Sequence, residues 1–195
     1  FKICNYYFKY IIIYKYSLQI RSEKMNYCPY TFKCCFMRHA ANLPNGIDER
    51  PYTYPGNLPE AINLIREAVS GEREDELFYD YLIKNSPNEE SRNIIVGIRD
   101  NESKHNRMFR QIYHDLTGEN ISELQNEEMQ YPEHFCDGVK RALYGELAAV
   151  ERYRKILFAM QSRIHINMLT EIITDEIRHA NFYNFLYSMN RCFRM

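Results

Sequence analysis

The chain has 195 residues, of which 45% are apolar and 26% charged, and its formal net charge is −1. This length allows one domain with a sizeable core, and the near-zero charge gives no electrostatic reason to bind nucleic acid or an anionic membrane. Glycine and proline contribute only seven residues each, which favours a helix-rich soluble fold.

The N-terminal part, residues 1–56, is predicted to be a loop-rich or disordered extension. Its opening segment, FKICNYYFKYIIIYKYSLQI, is interrupted by lysines and is followed by no small-residue cleavage site. No membrane span is therefore predicted, although a weakly amphipathic or signal-like role stays open. Residues 1–24 precede Met25 and are expected to be an upstream extension with little function. Residues 25–56 are rich in proline and glycine, as loops are.

The six cysteines include no C-x-x-C pair, which argues against a zinc ribbon or a rubredoxin-type iron site. Cys34 and Cys35 are adjacent, so a simple local disulfide between them is not expected. We predict reduced thiols in a cytoplasmic protein.

Apolar periodicity and capping residues predict four long helices and no strand. The first lies near 58–84 after Asn57 as N-cap, and the second near 87–115 between Ser86 and Gly118. The third opens at Pro132 and runs to about 160, and the fourth spans about 163–190. The first two helices and the last two are joined by short turns, so each pair is antiparallel.

The connection between the second and third helices is long, about 16 residues, and can reach roughly 50 Å when extended. A helix of about 28 residues is only about 42 Å long. The connection can therefore cross the whole bundle and leave its two flanking helices parallel. The predicted fold is an all-α, ferritin-like four-helix bundle over residues 57–195, with one long crossover.

The sequence repeats itself after 74 residues. Each half carries Gly-Glu-x6-Tyr in its first helix and Glu-x-x-His in its second, with thirty residues from the first glutamate to the second. A lone Glu-x-x-His is a weak signal, but two instances at matched positions in two matching halves are hard to obtain by chance. The glutamates and histidines of the repeat are Glu72, Glu102, His105, Glu146, Glu176 and His179.

These six residues fall near the centres of their helices, on the apolar stripe, so a bundle brings them to one level. Four ionised carboxylates in a core would cost roughly several kcal/mol each without compensation. Two divalent cations balance four carboxylates when both histidines are neutral. Oxygen ligands with one imidazole per metal suit iron or manganese better than zinc or copper. The pattern predicts two iron ions, with manganese as the alternative.

Further residues flank this set. Tyr79 and Tyr153 share the same offset from a glutamate and are predicted either to hydrogen-bond the carboxylates or to be core aromatics. Asn101 and Asp175 each precede a ligand glutamate. Either could hold the outer N–H of a histidine on the partner helix, the alternative being an exposed polar residue. Glu76 is expected at the surface or at the rim of the site.

Over about residues 58–190 these motifs resemble the ferritin-like superfamily, and within it the rubrerythrin-type diiron domain. The resemblance implies a carboxylate-bridged diiron centre that reacts with peroxide or dioxygen, with a role in oxidative stress. It also implies a homodimer or larger homo-oligomer. The chain lacks the rubredoxin-like four-cysteine module, so the electron donor would be a separate protein. Ala149 stands where rubrerythrins carry an additional glutamate, which argues against metal movement during turnover.

The sequence therefore predicts an oxidoreductase that reduces peroxide or dioxygen with Fe²⁺ or a protein donor. One alternative is an iron-handling or storage protein whose ferroxidase centre only oxidises iron and passes it on, which assembly into a large shell would support. A second is a coat-type structural protein in which metal only fastens the helices together.

Overall fold

The computed structural model describes residues 46–70, 72–122 and 130–194, without the side chains of residues 72–74 and 194. The predictions made for residues 1–45, including those for the cysteines at positions 4, 28, 34 and 35, lie outside the described residues.

The described chain contains five α-helical segments and no strand. They are α1 (Leu58–Ser70), α2 (Glu72–Lys84), α3 (Glu89–Thr117), α4 (Phe135–Phe158) and α5 (Arg163–Met189), with short 3₁₀ turns at Arg50–Tyr52 and Cys192–Arg194. Segments α1 and α2 lie on either side of Gly71 and together cover the first predicted helix. The all-helical prediction is confirmed. None of these helices combines the length and apolarity that crossing a bilayer requires.

The helix starts differ from the predicted ones by two or three residues. Asn88, rather than Ser86, caps α3, because its side chain accepts a hydrogen bond from the Ser91 amide at 2.8 Å. The hydroxyl of Ser86 instead bonds back to the carbonyl of Leu82. Helix α4 begins at Phe135 and not at Pro132. Gly118 ends α3 in the left-handed conformation, with φ of 74°, as glycine does at a helix C-terminus.

Neighbouring helices run antiparallel, as shown by contacts whose residue numbers rise on one helix and fall on the other. Between α3 and α5, Asn88 bonds Asn190 at 3.1 Å near one end, and Asp115 bonds His165 at 2.9 Å near the other.

Segments α1 and α2 also run antiparallel to α4. The ammonium of Lys155 contacts Glu60 at 3.1 Å, and the guanidinium of Arg141 lies 5.1 Å from the ring centre of Phe78. Helix α4 also runs opposite to α5, to which a short turn joins it. Because α3 and α4 both run opposite to α5, they run parallel to each other.

The described ends of the connection from α3 to α4 lie far apart along the bundle. At its start, the carbonyl of Ile121 accepts a hydrogen bond from Arg110, near the C-terminal end of α3. At its far end, the carbonyl of Gln130 accepts one from Arg141, near the N-terminal end of α4. These ends lie at opposite ends of the bundle, so the predicted crossover is confirmed.

The core consists of two apolar clusters, one towards each end of the bundle. Phe109, Ala149 and Ile173 belong to one cluster, and Ile98 and Tyr183 to the other. Between the two clusters, α3 and α5 each carry the glutamate and the histidine of the repeat, and α4 carries a glutamate. The polar centre therefore lies midway along the bundle, with apolar side chains on both sides.

The prediction of reduced thiols is wrong for two cysteines. Cys136, in the first turn of α4, forms a disulfide with Cys192, in the C-terminal 3₁₀ turn, across 56 residues of sequence. The antiparallel packing of α4 and α5 brings the start of one to the end of the other. Sequence spacing alone gives no sign of this proximity.

Gly138 offers a test of the packing between α2 and α4. A Cβ atom at this position would lie 2.6 Å from Cδ2 of Leu82, which is fully buried. We expect Gly138→Ala to lower the free energy of unfolding by about 1–3 kcal/mol, since close-packed cores resist added volume. The measurement is the midpoint of chemical denaturation.

Gly145→Ala, on the same helix, is the matched control. Its added Cβ would meet no atom within 4 Å, so the better helix propensity of alanine should stabilise the protein by about 0.5–1 kcal/mol. Equal effects of the two substitutions would contradict the proposed close contact.

Candidate metal centre

Five of the six predicted ligands come together at the middle of the bundle. Helix α3 supplies Glu102 and His105, α4 supplies Glu146, and α5 supplies Glu176 and His179. One ligand atom from each of Glu102, Glu146, Glu176 and His179 lies within 4.8 Å of all the others. The sixth residue, Glu72, is the first residue of α2, and its side chain lies outside the described residues.

Both imidazoles point Nδ1 towards the carboxylates. Nδ1 of His105 lies 3.4 Å from Oε2 of Glu102 and 3.2 Å from Oε1 of Glu176. Nδ1 of His179 lies 2.9 Å from Oε1 of Glu102 and 3.9 Å from Oε2 of Glu176. Glu102 and Glu176 therefore each present one oxygen to each imidazole, which is the arrangement that lets a carboxylate bridge two cations.

Glu146 lies on the side of His179. Its Oε2 is 3.7 Å from Nδ1 of that histidine, so it can complete the coordination of an ion held there. The internal repeat places Glu72 at the equivalent sequence position for His105.

The outer nitrogen of each histidine is held by the opposite half of the molecule. Nε2 of His105, on α3, lies 3.1 Å from Oδ2 of Asp175, on α5. Nε2 of His179, on α5, lies 3.1 Å from the amide nitrogen of Asn101, on α3. The other oxygen of Asp175 contacts Arg178 at 2.8 Å. Sequence reasoning missed this arginine, although its position three residues after Asp175 on one helix was a usable signal.

Four buried polar atoms at this centre have no hydrogen-bond partner among the described residues: Oε1 of Glu102, Nδ1 of His105, Oε1 of Glu176 and Nδ1 of His179. Their neighbours are close, but they are not directed as hydrogen bonds require. An unpaired buried polar group costs about 1–3 kcal/mol. Cations placed among these lone pairs would satisfy all four atoms together, so the residues present fit a divalent metal pair.

Electrostatics at the centre favour proton uptake when no cation is bound. Burial raises the pKa of Glu146 to about 8 and that of Glu176 to about 9. For His105, burial acts to lower the pKa, but the carboxylates of Glu102 and Glu176 outweigh it and raise the pKa to about 10. Divalent cations would take the place of these protons, so metal binding is expected to release protons.

A cavity of about 60 Å³ adjoins the centre between α3 and the segments α1 and α2. Glu102, His105, Tyr79 and Tyr153 line it, and the exposed Glu76 lies at its edge. Burial raises the pKa of both tyrosines above the ordinary value, so their hydroxyls stay protonated. The cavity has room only for a molecule of a few heavy atoms.

The chain matches a protein-family model and is similar to other proteins in sequence and in structure. The family model described as Rubrerythrin matches residues 63–187. An uncharacterized protein of Bacillus subtilis (strain 168), YhjR, is 29% identical over 142 residues, which cover 72% of this chain and 96% of that protein. A hypothetical protein from Pyrococcus furiosus of known structure superposes with a TM-score of 0.57 at 19% identity, covering 71% of this chain and 92% of that one. At this identity the structural likeness shows the fold alone.

Proposed function

Because the chain belongs to the rubrerythrin family, we propose that it is a diiron-carboxylate oxidoreductase that reduces peroxide or dioxygen. The electrons would come from Fe²⁺ or from a separate donor protein. The observation that carries this proposal is the geometry of Glu102 and Glu176, each of which faces both imidazoles from a buried position. Oxygen-rich ligation with one imidazole per ion is the donor set that iron and manganese prefer.

Bound iron would supply the two electrons that convert hydrogen peroxide and two protons into two molecules of water. The protein's own residues would hold the ions, admit a small oxidant and keep bulk water out. Tyr79 and Tyr153 line the cavity beside the ligands as protonated phenols, so they can donate hydrogen bonds to an oxidant there. Ala149 is 5% exposed and belongs to an apolar cluster. Because its side chain is a methyl group, this position offers no further carboxylate towards which an ion could move.

Anaerobic loading with Fe²⁺, followed by addition of hydrogen peroxide, tests the proposal. We expect two iron ions per chain, consumption of about one peroxide per two Fe²⁺, and the near-ultraviolet absorption of the oxidised iron pair. His105→Ala should abolish this response. His114→Ala, which removes an exposed histidine from the same helix, should leave it intact. Loaded protein that leaves the peroxide unconsumed would overturn the proposed activity and favour a structural role for the metal.

The oligomeric state distinguishes the proposed enzyme from the iron-storage alternative. We propose a homodimer or a small homo-oligomer, and analytical ultracentrifugation of the full chain checks this. A large closed shell would instead favour iron storage.

The predicted cytoplasmic location stays a proposal. The disulfide weighs against it, because structural disulfides persist mainly in oxidising compartments.

A further inference from the structure

The two halves of the centre follow the same plan but differ in the residue that contacts the outer nitrogen of each histidine. Under the 74-residue repeat, Asn101 corresponds to Asp175 and His105 to His179. The contact of Asn101 with His179 is therefore the counterpart of the contact of Asp175 with His105, and both measure 3.1 Å. One imidazole is held by a neutral amide and the other by a carboxylate.

This difference changes how well the partner of each histidine suits cation binding through Nδ1. A carboxylate can only accept a hydrogen bond, so Asp175 suits the ligating form of His105, in which the remaining proton lies on Nε2 and Nδ1 faces the carboxylates. An amide can either donate or accept, and Asn101 turns its nitrogen towards His179. In that orientation Asn101 donates, whereas a histidine that binds a cation through Nδ1 needs an acceptor at Nε2.

Binding at His179 therefore requires the amide of Asn101 to turn so that its oxygen accepts from Nε2. Binding at His105 requires no such turn, because both oxygens of Asp175 are acceptors. Asp175 also makes His105 a stronger donor, because a carboxylate partner increases the basicity of a ligating imidazole. Arg178 contacts the other oxygen of Asp175 at 2.8 Å and fixes the orientation of the carboxylate.

We propose that the two metal positions are unequal, and that Asp175 makes the position at His105 the one that fills first. Asp175 and Asn101 act as positioning residues, since they touch the histidines and not the ions. The inference rests on the proposed metal centre and adds the order in which its positions fill.

Anaerobic titration of the metal-free full chain with Mn²⁺, followed by calorimetry and by electron paramagnetic resonance, tests the order. We expect two binding steps that differ by about 10–100-fold in affinity, the range typical of partners of this kind. Asp175→Asn should weaken the first step by a similar factor and make the two steps nearly equal. Asn101→Asp should instead strengthen the second step. Both substitutions keep the side-chain size, and far-ultraviolet circular dichroism verifies that the helices remain.

The double variant Asn101→Asp/Asp175→Asn is the matched control, because it keeps the composition and the charge but exchanges the two partners. It should bind in two unequal steps with the order reversed. Anomalous scattering from crystals grown with one equivalent of Mn²⁺ identifies the position that is filled. Two equal steps in the unsubstituted protein, or first occupancy at His179, would overturn the inference and leave the metal centre standing. No Mn²⁺ binding at all would overturn the metal centre as well.

Discussion

Near pH 9, replacing Glu176 with glutamine is expected to lower the stability of the metal-loaded protein and to raise that of the metal-free protein. In the loaded protein the substitution removes one of the two carboxylates that face both imidazoles, so we expect fewer than two ions per chain. A ligand present at 100 times its dissociation constant stabilises a protein by about 2.7 kcal/mol per site. Most of that metal-dependent rise in the unfolding midpoint should disappear in Glu176→Gln.

Without metal, the effect of the substitution on the free energy of unfolding depends on pH. The pKa of Glu176 is raised by burial to about 9, whereas that of an unfolded glutamate is about 4.3. The folded chain therefore binds more protons between these values, and the unsubstituted protein loses stability as pH rises through this window. Glutamine does not titrate, so metal-free Glu176→Gln should be relatively more stable near pH 9.

Denaturation at pH 6 and pH 9, with and without Mn²⁺, measures both effects. Glu171→Gln on the same helix is the control. Its exposed side chain pairs with Lys104 on the surface, so the substitution should shift stability by less than about 1 kcal/mol and leave metal binding unchanged. Two ions bound with undiminished affinity in Glu176→Gln would contradict its bridging position.

Removing the disulfide is expected to have the largest effect on stability outside the metal centre. The bond between Cys136 and Cys192 closes a segment of 56 residues, and the chain-entropy relation gives about 4 kcal/mol for a loop of this size. The double substitution of these cysteines by serine should lower the free energy of unfolding by about that amount in urea or guanidinium denaturation.

Reduction provides the control for this experiment. A reducing agent should destabilise the unsubstituted protein by a similar amount and should leave the serine variant unaffected. Titration of free thiols in the denatured, unreduced chain gives an independent check. Six free thiols per chain would show that the bond does not form and would restore the prediction of reduced cysteines.

The sequence predicted that five of the six candidate ligands lie together, because chemistry and periodicity coincide at these positions. Glu102 and His105 are separated by three residues on a helix, and so are Glu176 and His179. The matched halves then indicate which helix centres must meet. The contacts of Asn101 and Asp175 were expected only as alternatives, because adjacency to a ligand does not show which way a side chain turns.

Other features depend on packing between distant segments. The first turn of α4 and the C-terminal turn carry Cys136 and Cys192, and only the folded chain shows that they touch. The true cap of α3 is Asn88, because the hydroxyl of Ser86 is already bonded within the preceding helix. Because two capping residues lie two positions apart, local geometry decides which of them caps the helix.

The reciprocal contacts of the two histidines have a consequence for folding. One hairpin consists of α1, α2 and α3, and the other of α4 and α5; each contributes one Glu-x-x-His ligand pair and also holds the imidazole of the other. Neither hairpin therefore forms the centre alone, and the centre is assembled only after the two hairpins have docked.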